Sequence, residues 1–308
     1  MPDIFQALAP IFIIIALGFA ARAARIFPEE TWGAVNRFGY FVPYPAFLFS
    51  TTAGADLHAH NAGPFLTACI AGFLAMAGIA LSTRLLFRKD GPAFTSVFQG
   101  AARWNGFVIL AAGDRLYGAG GRELIALAFG PLVLMVNIIC VGVLARWGKE
   151  RIVSTRALAA QIAGNPLVLS CAAGLAFNLA RTLWGFGDLG VASDALKTLG
   201  AAALPLALVC IGAGLDFGPL RRGWTYVATS CALKLVAGPA VLYASALAFG
   251  LDARTAAVCG GIGATSTAAA SYTLAREMGG DARLMAGIVT ATTLLSFITM
   301  PIAIALTR

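Results

Sequence analysis

The 308-residue chain is 59% hydrophobic and only 12% charged, with a mean hydropathy of +0.82, where a soluble domain carries roughly a quarter charged residues. A soluble globular protein is excluded, and the counting unit becomes the apolar segment of roughly 20 residues that crosses about 30 Å of hydrocarbon. The net charge of +8 and pI near 9.5 do not point to nucleic acid, because the basic residues stand singly between apolar runs rather than together on a polar face.

In chain order, apolar runs fall at about 4–21, 36–52, 64–87, 94–112, 124–145, 158–179, 189–215, 225–249, 253–274 and 284–306. The first has Asp3 before it and Arg22 and Arg25 after it, the reverse of a secretory signal peptide, so it is expected to stay as a span. Continuous runs of this length predict helices rather than the alternating ten-residue strands of a membrane barrel. The six cysteines, Cys69, Cys140, Cys171, Cys210, Cys231 and Cys259, all lie inside these runs without a C-x-x-C pair, which argues against a disulfide framework or a zinc site. Alternating the ten spans places fourteen Lys and Arg on one side against six on the other, with Arg103 and Lys234 left inside spans. The positive-inside rule then puts both termini outside and the connection between the fifth and sixth spans in the cytoplasm.

The sequence also folds onto itself. Pro10 and Gly18 match Pro166 and Gly174. Pro45 with Ala53-Gly54-Ala55-Asp56 matches Pro205 with Ala213-Gly214-Leu215-Asp216, and Gly120-Gly121 matches Gly279-Gly280. The offsets of 156 to 160 residues repeat five helices once, and because five is odd the second copy is inverted. Inverted repeats typify secondary transporters, whose sites lie near the bilayer midplane at interrupted helices. The expected organisation is residues 1–148 as the first repeat, 149–156 as a cytoplasmic linker and 157–308 as the second repeat.

All 14 acidic residues fall in loops or at span ends, so no mid-membrane carboxylate is expected to bind Na⁺ or relay a proton. The two intramembrane charges are both positive. A buried cation is costly without a partner, which an anionic substrate or a set of carbonyls and water can supply; Lys234 can also snorkel or lose its proton. Around Arg103 the fourth span reads Gln99-Gly100-Ala101-Ala102-Arg103-Trp104-Asn105-Gly106-Phe107, a poor uninterrupted helix. The repeat offset carries Asn105 to Ala264, within Gly260-Gly261-Ile262-Gly263-Ala264-Thr265-Ser266-Thr267 of the ninth span. Two broken helices there would turn free amides and half-helix N-termini toward an anion, while close packing through small residues is the alternative. Asn137 maps to Ser296, a polar pair at matching depth that either lines the same cavity or bonds between helices.

Other motifs carry less. Asp56 and Asp216 fall at opposite faces of the membrane and read as helix-end residues rather than a protease dyad; His58 and His60 are two imidazoles in a loop without further ligands. No Walker motif, dinucleotide fingerprint or nucleophile elbow occurs, so neither ATP-driven pumping nor an enzyme is expected, and neither is a cofactor or metal.

Several stretches together resemble the auxin efflux carrier family over essentially the whole chain. They are Pro10 to Gly18, Phe41-Val42-Pro43-Tyr44-Pro45 leading to Phe49, Arg103-Trp104-Asn105, Pro131 to Asn137, Leu204-Pro205-Leu206-Ala207-Leu208 to Gly212, Lys234 to Pro239, and Tyr272 to Asp281 followed by Pro301. The resemblance implies an all-α membrane protein of ten transmembrane helices in two inverted five-helix repeats, like the bile acid sodium symporters, with helices four and nine broken and crossing. It implies a scaffold of helices 1, 2, 6 and 7, a moving transport domain of helices 3–5 and 8–10, and Asn105 as a substrate contact. Members often carry proline at the crossovers, whereas residues 103–108 and 260–271 contain none. The expected function is a secondary carrier of a small organic anion, a carboxylate such as auxin, malate or malonate, in the cell inner (plasma) membrane. The substrate-binding candidates are Arg103, Asn105, Gly106, Asn137, Lys234, Gly263, Thr265, Ser266, Thr267 and Ser296. The expected partners are the anion and the lipid bilayer, with no nucleic acid and a homodimer left open; a membrane ligand-binding sensor using the same cavity is the alternative reading.

Overall fold

A chain this apolar must pair its backbone groups within each segment, because hydrocarbon offers no partner for an exposed N–H or C=O. The computed structural model describes residues 2–55, 62–88, 90–149, 164–185, 189–218 and 223–307, and among these every regular element is a helix. In order they are α1 (Pro2–Ala23), α2 (Glu29–Phe41), α3 (Pro43–Ala53), α4 (Ala62–Ser82), α5 (Gly91–Ala102), α6 (Gly106–Trp147), α7 (Pro166–Trp184), α8 (Val191–Ala201), α9 (Ala203–Ala213), α10 (Trp224–Ala232), α11 (Gly238–Ala248), α12 (Ala253–Gly263), α13 (Ala270–Glu277) and α14 (Ala282–Thr307). Asp56, His58, His60 and nearly all of the expected linker at 149–156 lie outside the described residues.

Among the described residues seven helical stretches are long and apolar enough to cross a membrane, where the sequence reading counts ten segments. The difference has local causes. Residues 91–147 count as a single stretch, yet α6 doubles back at Gly118, whose φ of 73° and ψ of −178° suit glycine. A Cβ on Gly113 would lie 3.3 Å from Arg122 Cα, and Asp114 pairs with Arg122 at 2.6 Å. In a straight helix, residues nine apart would be separated by roughly 13 Å. The expected second and ninth segments are interrupted, one at Val42 between α2 and α3, the other over residues 264–269 between α12 and α13.

Proline places two of the breaks. Pro45 and Pro205 each lack an N–H and crowd the carbonyl four residues earlier, at Phe41 and Ala201, where α2 and α8 end. Pro239 acts similarly on the segment ahead of it. Residues Leu233–Ala237 form a π-helical turn, closed by Gly238 N–H to Leu233 O, between α10 and α11.

Packing pairs elements in a crosswise pattern. α1 lies along α9, and α3 lies along α7. A Cβ on Gly18 of α1 would collide with Val209 O of α9, and one on Gly174 of α7 would fall 2.7 Å from Phe49 O of α3. The helix ends match as well. Arg22 Nη1 donates to Ala213 O (3.0 Å) and Leu215 O (3.2 Å) at the end of α9, while Asn178 Nδ2 donates to Thr52 O (3.1 Å) and Ala55 O (2.6 Å) at the end of α3. Each thereby satisfies carbonyls that a helix C-terminus leaves open. α11 packs against α4 and α12, and α14 contacts α5, α10 and α12. Outward side chains such as Ile13, Leu17, Val191 and Leu306 are largely exposed, a surface that suits lipid.

Candidate functional site

The two interruptions meet in the interior. α5 stops at Ala102 because Arg103 turns to an extended conformation (φ −83°, ψ 138°), and α6 restarts at Gly106 after Asn105 (φ −94°, ψ 87°). Residues 264–269 separate α12 from α13 in the same way, glycine and hydroxyl residues doing here what proline does at Val42. Asn105 N–H donates to Thr265 Oγ1 at 3.2 Å, and Asn105 Nδ2 reaches Ser266 Oγ at 3.5 Å. Thr267 Oγ1 donates to Gly100 O at 2.7 Å, and Thr267 N–H donates to Thr292 Oγ1 of α14 at 3.2 Å. Thr265, Ser266, Thr267 and Thr292 are fully buried, and Asn105 is nearly so.

The ends of four half-helices thus gather around one point, the C-termini of α5 and α12 and the N-termini of α6 and α13. Neither N-terminus has a side-chain cap; the first-turn amides of α6 keep their capacity for an acceptor, whereas at α13 Ser271 N–H and Tyr272 N–H already donate to Ala268 O and Ala269 O. The 3.5 Å separation at Asn105 Nδ2 is long for a hydrogen bond, which leaves that amide weakly engaged.

Small residues admit this crossing. A Cβ on Gly106 would run into the Phe129 ring, and one on Gly263 would lie 2.6 Å from Gly238 O. Gly263 therefore serves close backbone packing against α11. Trp104 stacks obliquely between Phe73 and Phe129, with centroids 6.0 and 5.5 Å away. Phe107, next to Gly106, meets Tyr44 of α3 at 4.6 Å.

Both intramembrane cations sit near this centre. Arg103 is 9% exposed, lies beside Tyr40 and Cys140, and has a buried Nη1 without a hydrogen-bond partner. Lys234 is 1% exposed on the π-helical turn, four residues before Gly238, with Nζ 6.0 Å from the centroid of Phe73. Phe73 is thus a neighbour of both Lys234 and Trp104. Among the described residues neither cation forms an ion pair.

Of the residues singled out from sequence, Asn105 meets Thr265 and Ser266 directly and Thr267 meets Gly100; Arg103 and Gly106 flank Asn105 along the chain, the Arg103 side chain lying beside Tyr40 and Cys140, while Gly263 packs on Gly238, four residues after Lys234. Asn137 and Ser296 are not joined: Ser296 Oγ donates to Thr293 O of its own helix (2.7 Å), and Asn137 is half-buried on α6. Asp216 behaves as a helix-end residue, its N–H donating to Thr290 Oγ1 and its Oδ1 accepting from Gly218 N–H. Sequence reasoning passed over Thr292, and also Gln99, which is completely buried with both amide atoms unpartnered. Its position four residues before Arg103, on one helix face, was the available signal. Among the described residues no three His, Cys, Asp or Glu side chains gather as a metal site.

A family model described as membrane transport protein matches the chain over residues 3–113 and 149–304. No curated protein matches it.

Proposed function

The chain belongs to the membrane transport protein family, that of the auxin efflux carriers, and from that premise we propose that it is a secondary carrier moving a small organic anion, a carboxylate such as auxin, malate or malonate, by alternating access. The observation that carries this reading is the crossing of two interrupted helices, where the uncapped N-terminus of α6 and the weakly engaged Asn105 amide lie two residues beyond Arg103, whose buried Nη1 is unpartnered. A cation without a counter-charge within a membrane is costly, and an anionic ligand removes that cost while drawing on the first-turn amides of α6. Asn105, Arg103 and Gly106 contact the carboxylate from one side, with Thr265, Ser266 and Thr267 opposite. Lys234 supplies a fixed positive charge where a coupling cation would otherwise be needed, so transport runs on the substrate gradient and membrane potential.

The ten-span, inverted-repeat organisation belongs to the same proposal. Residues 1–148 and 157–308 are its halves, 149–156 the cytoplasmic linker, and both termini face outward from the plasma membrane. The crosswise packing of α1 on α9 and α3 on α7 supports it, since exchanging the halves turns the first pair into the second. So does the matched capping by Arg22 and Asn178, 156 residues apart. In this reading α1–α3 and α7–α9 form the scaffold, and α4–α6 with α10–α14 move against it.

Ligand-induced thermal stabilisation of the detergent-purified protein tests the substrate class. Malonate, malate, other mono- and dicarboxylates and indole-3-acetate are compared with amino acids and neutral analogues. Stabilisation by carboxylates, lost in Asn105→Ala, is expected; stabilisation only by neutral or cationic compounds overturns the reading.

A further inference from the structure

We propose that Gln99 is a further specificity-determining residue, one that reads a hydrogen-bond donor carried by the anion beside its carboxylate. The inference rests on the carrier reading above and deepens it. Gln99 is 0% exposed, and neither Nε2 nor Oε1 has a partner. A buried amide in that condition forfeits the hydrogen bonds that water would give it, and native interiors tolerate few such groups.

Its position gives the orphaned amide a use. Arg103 N–H donates to Gln99 O at 2.8 Å, so the helical register persists to Arg103 even though the chain then turns extended. The two side chains therefore stand one turn apart on one face of α5, and Arg103 Nη1 is likewise buried and unpartnered. One turn earlier on that face the polar groups are satisfied, Ser96 Oγ donating to Asp281 O at 2.9 Å. Along α5 the unmet hydrogen-bonding capacity is thus confined to the last turn before the crossover, and the hydroxyl of Ser230, packed against Gly100, is unpartnered as well.

The chemistry of that capacity is specific. Arg103 Nη1 and Gln99 Nε2 offer donors that suit a carboxylate. Gln99 Oε1 offers an acceptor, which a carboxylate cannot use and a hydroxyl or N–H on the same ligand can. The repeat offset places Val258 opposite Gln99, buried and apolar, so the second half supplies no equivalent amide and the acceptor lies on one side of the crossing. A site with a committed acceptor discriminates against ligands that lack the donor, because the amide is then left unpaired.

Matched pairs differing only in that donor test the assignment: lactate against propionate, glycolate against acetate, and indole-3-acetate against its N-methyl analogue. Dissociation constants are measured by calorimetry on the purified full chain. Wild type is expected to bind the donor-bearing member of at least one pair about tenfold more tightly, the scale of one neutral hydrogen bond. In Gln99→Leu the affinity for both members of a pair falls with the loss of Nε2, but their ratio drops to within about twofold of unity because Oε1 is gone; Gln99→Met serves as a second variant of similar volume. Equal affinities within every pair in wild type, or a preference that survives in both variants, overturn the role of Gln99 alone. Failure of wild type to bind any carboxylate overturns the carrier reading and this inference together.

Discussion

The hydrogen bond from Thr267 Oγ1 to Gly100 O ties the two crossing segments together across 167 residues of chain. Thr267→Val keeps the shape and removes the donor. Gly100 O belongs to the last turn of α5, whose carbonyls lack an onward helical partner, so the substitution leaves it orphaned in a fully buried setting. An orphaned buried acceptor costs about 1 to 3 kcal/mol in water-soluble proteins, while interhelical bonds in membranes average about 0.6 and reach about 1.7 kcal/mol. The short 2.7 Å distance and complete burial of Thr267 place this one toward the upper part of the membrane range, about 1 to 1.5 kcal/mol. At roughly 2 to 4 °C per kcal/mol, the melting midpoint of purified protein should fall by about 2 to 6 °C. Thr299→Val is the control, since its exposed hydroxyl returns to Leu295 O of its own helix at 3.1 Å. It should stay within about 0.5 kcal/mol of wild type. Equal midpoints for both variants would refute the claim that this bond holds the crossing.

Three further outcomes follow from the same structure. Gly174→Ala should destabilise by about 1 to 3 kcal/mol, because its Cβ meets the backbone of α3 at Phe49 and Ala53, whereas Gly142→Ala, with open space around it, should be neutral in the same thermal assay. Asp252 caps α12 by accepting from Thr255 Oγ1 (2.7 Å) and Thr255 N–H (3.0 Å), and these bonds hold its carboxyl below the usual value. A depressed folded-state pKa stabilises above the unfolded value and is lost as pH falls through the folded one. The midpoint gap between wild type and Asp252→Ala, about 1 kcal/mol for an N-cap, should therefore be constant at neutral pH and close below about pH 4. Uptake at fixed membrane potential should be independent of Na⁺ if Lys234 provides the fixed charge; a steep rise with Na⁺ would contradict that role.

The legible parts of this fold were those written into backbone chemistry. The matched spacing of Pro10 and Gly18 with Pro166 and Gly174 drew attention to α1 and α7, and Gly18 and Gly174 prove to be places where a Cβ would meet a neighbouring helix backbone. The polar run from Gln99 to Phe107 marked a helix that hydrocarbon would not tolerate unbroken, and α5 ends inside it. Pro45 and Pro205 were equally visible, yet the breaks they impose at Val42 and Ala202 were missed, because both segments were read for length and not for the carbonyl four residues back. The π-helical turn under Lys234 had the same kind of cause in Pro239. Rotation about a helix axis was harder to see. The offset pairs Asn137 with Ser296 in sequence but does not give the direction of either side chain, and Ser296 bonds within its own helix. Gln99 was quoted for its polarity, but only three-dimensional packing reveals that both of its amide atoms are unpartnered.

The most direct test is counterflow of radiolabelled carboxylates into proteoliposomes holding wild type, Asn105→Ala or Lys234→Ala, with folding verified for each variant. Saturable exchange of at least one carboxylate by wild type, abolished in Asn105→Ala and Lys234→Ala, is the predicted result. Exchange that both variants perform at the wild-type rate would contradict an anion site at the helix crossing.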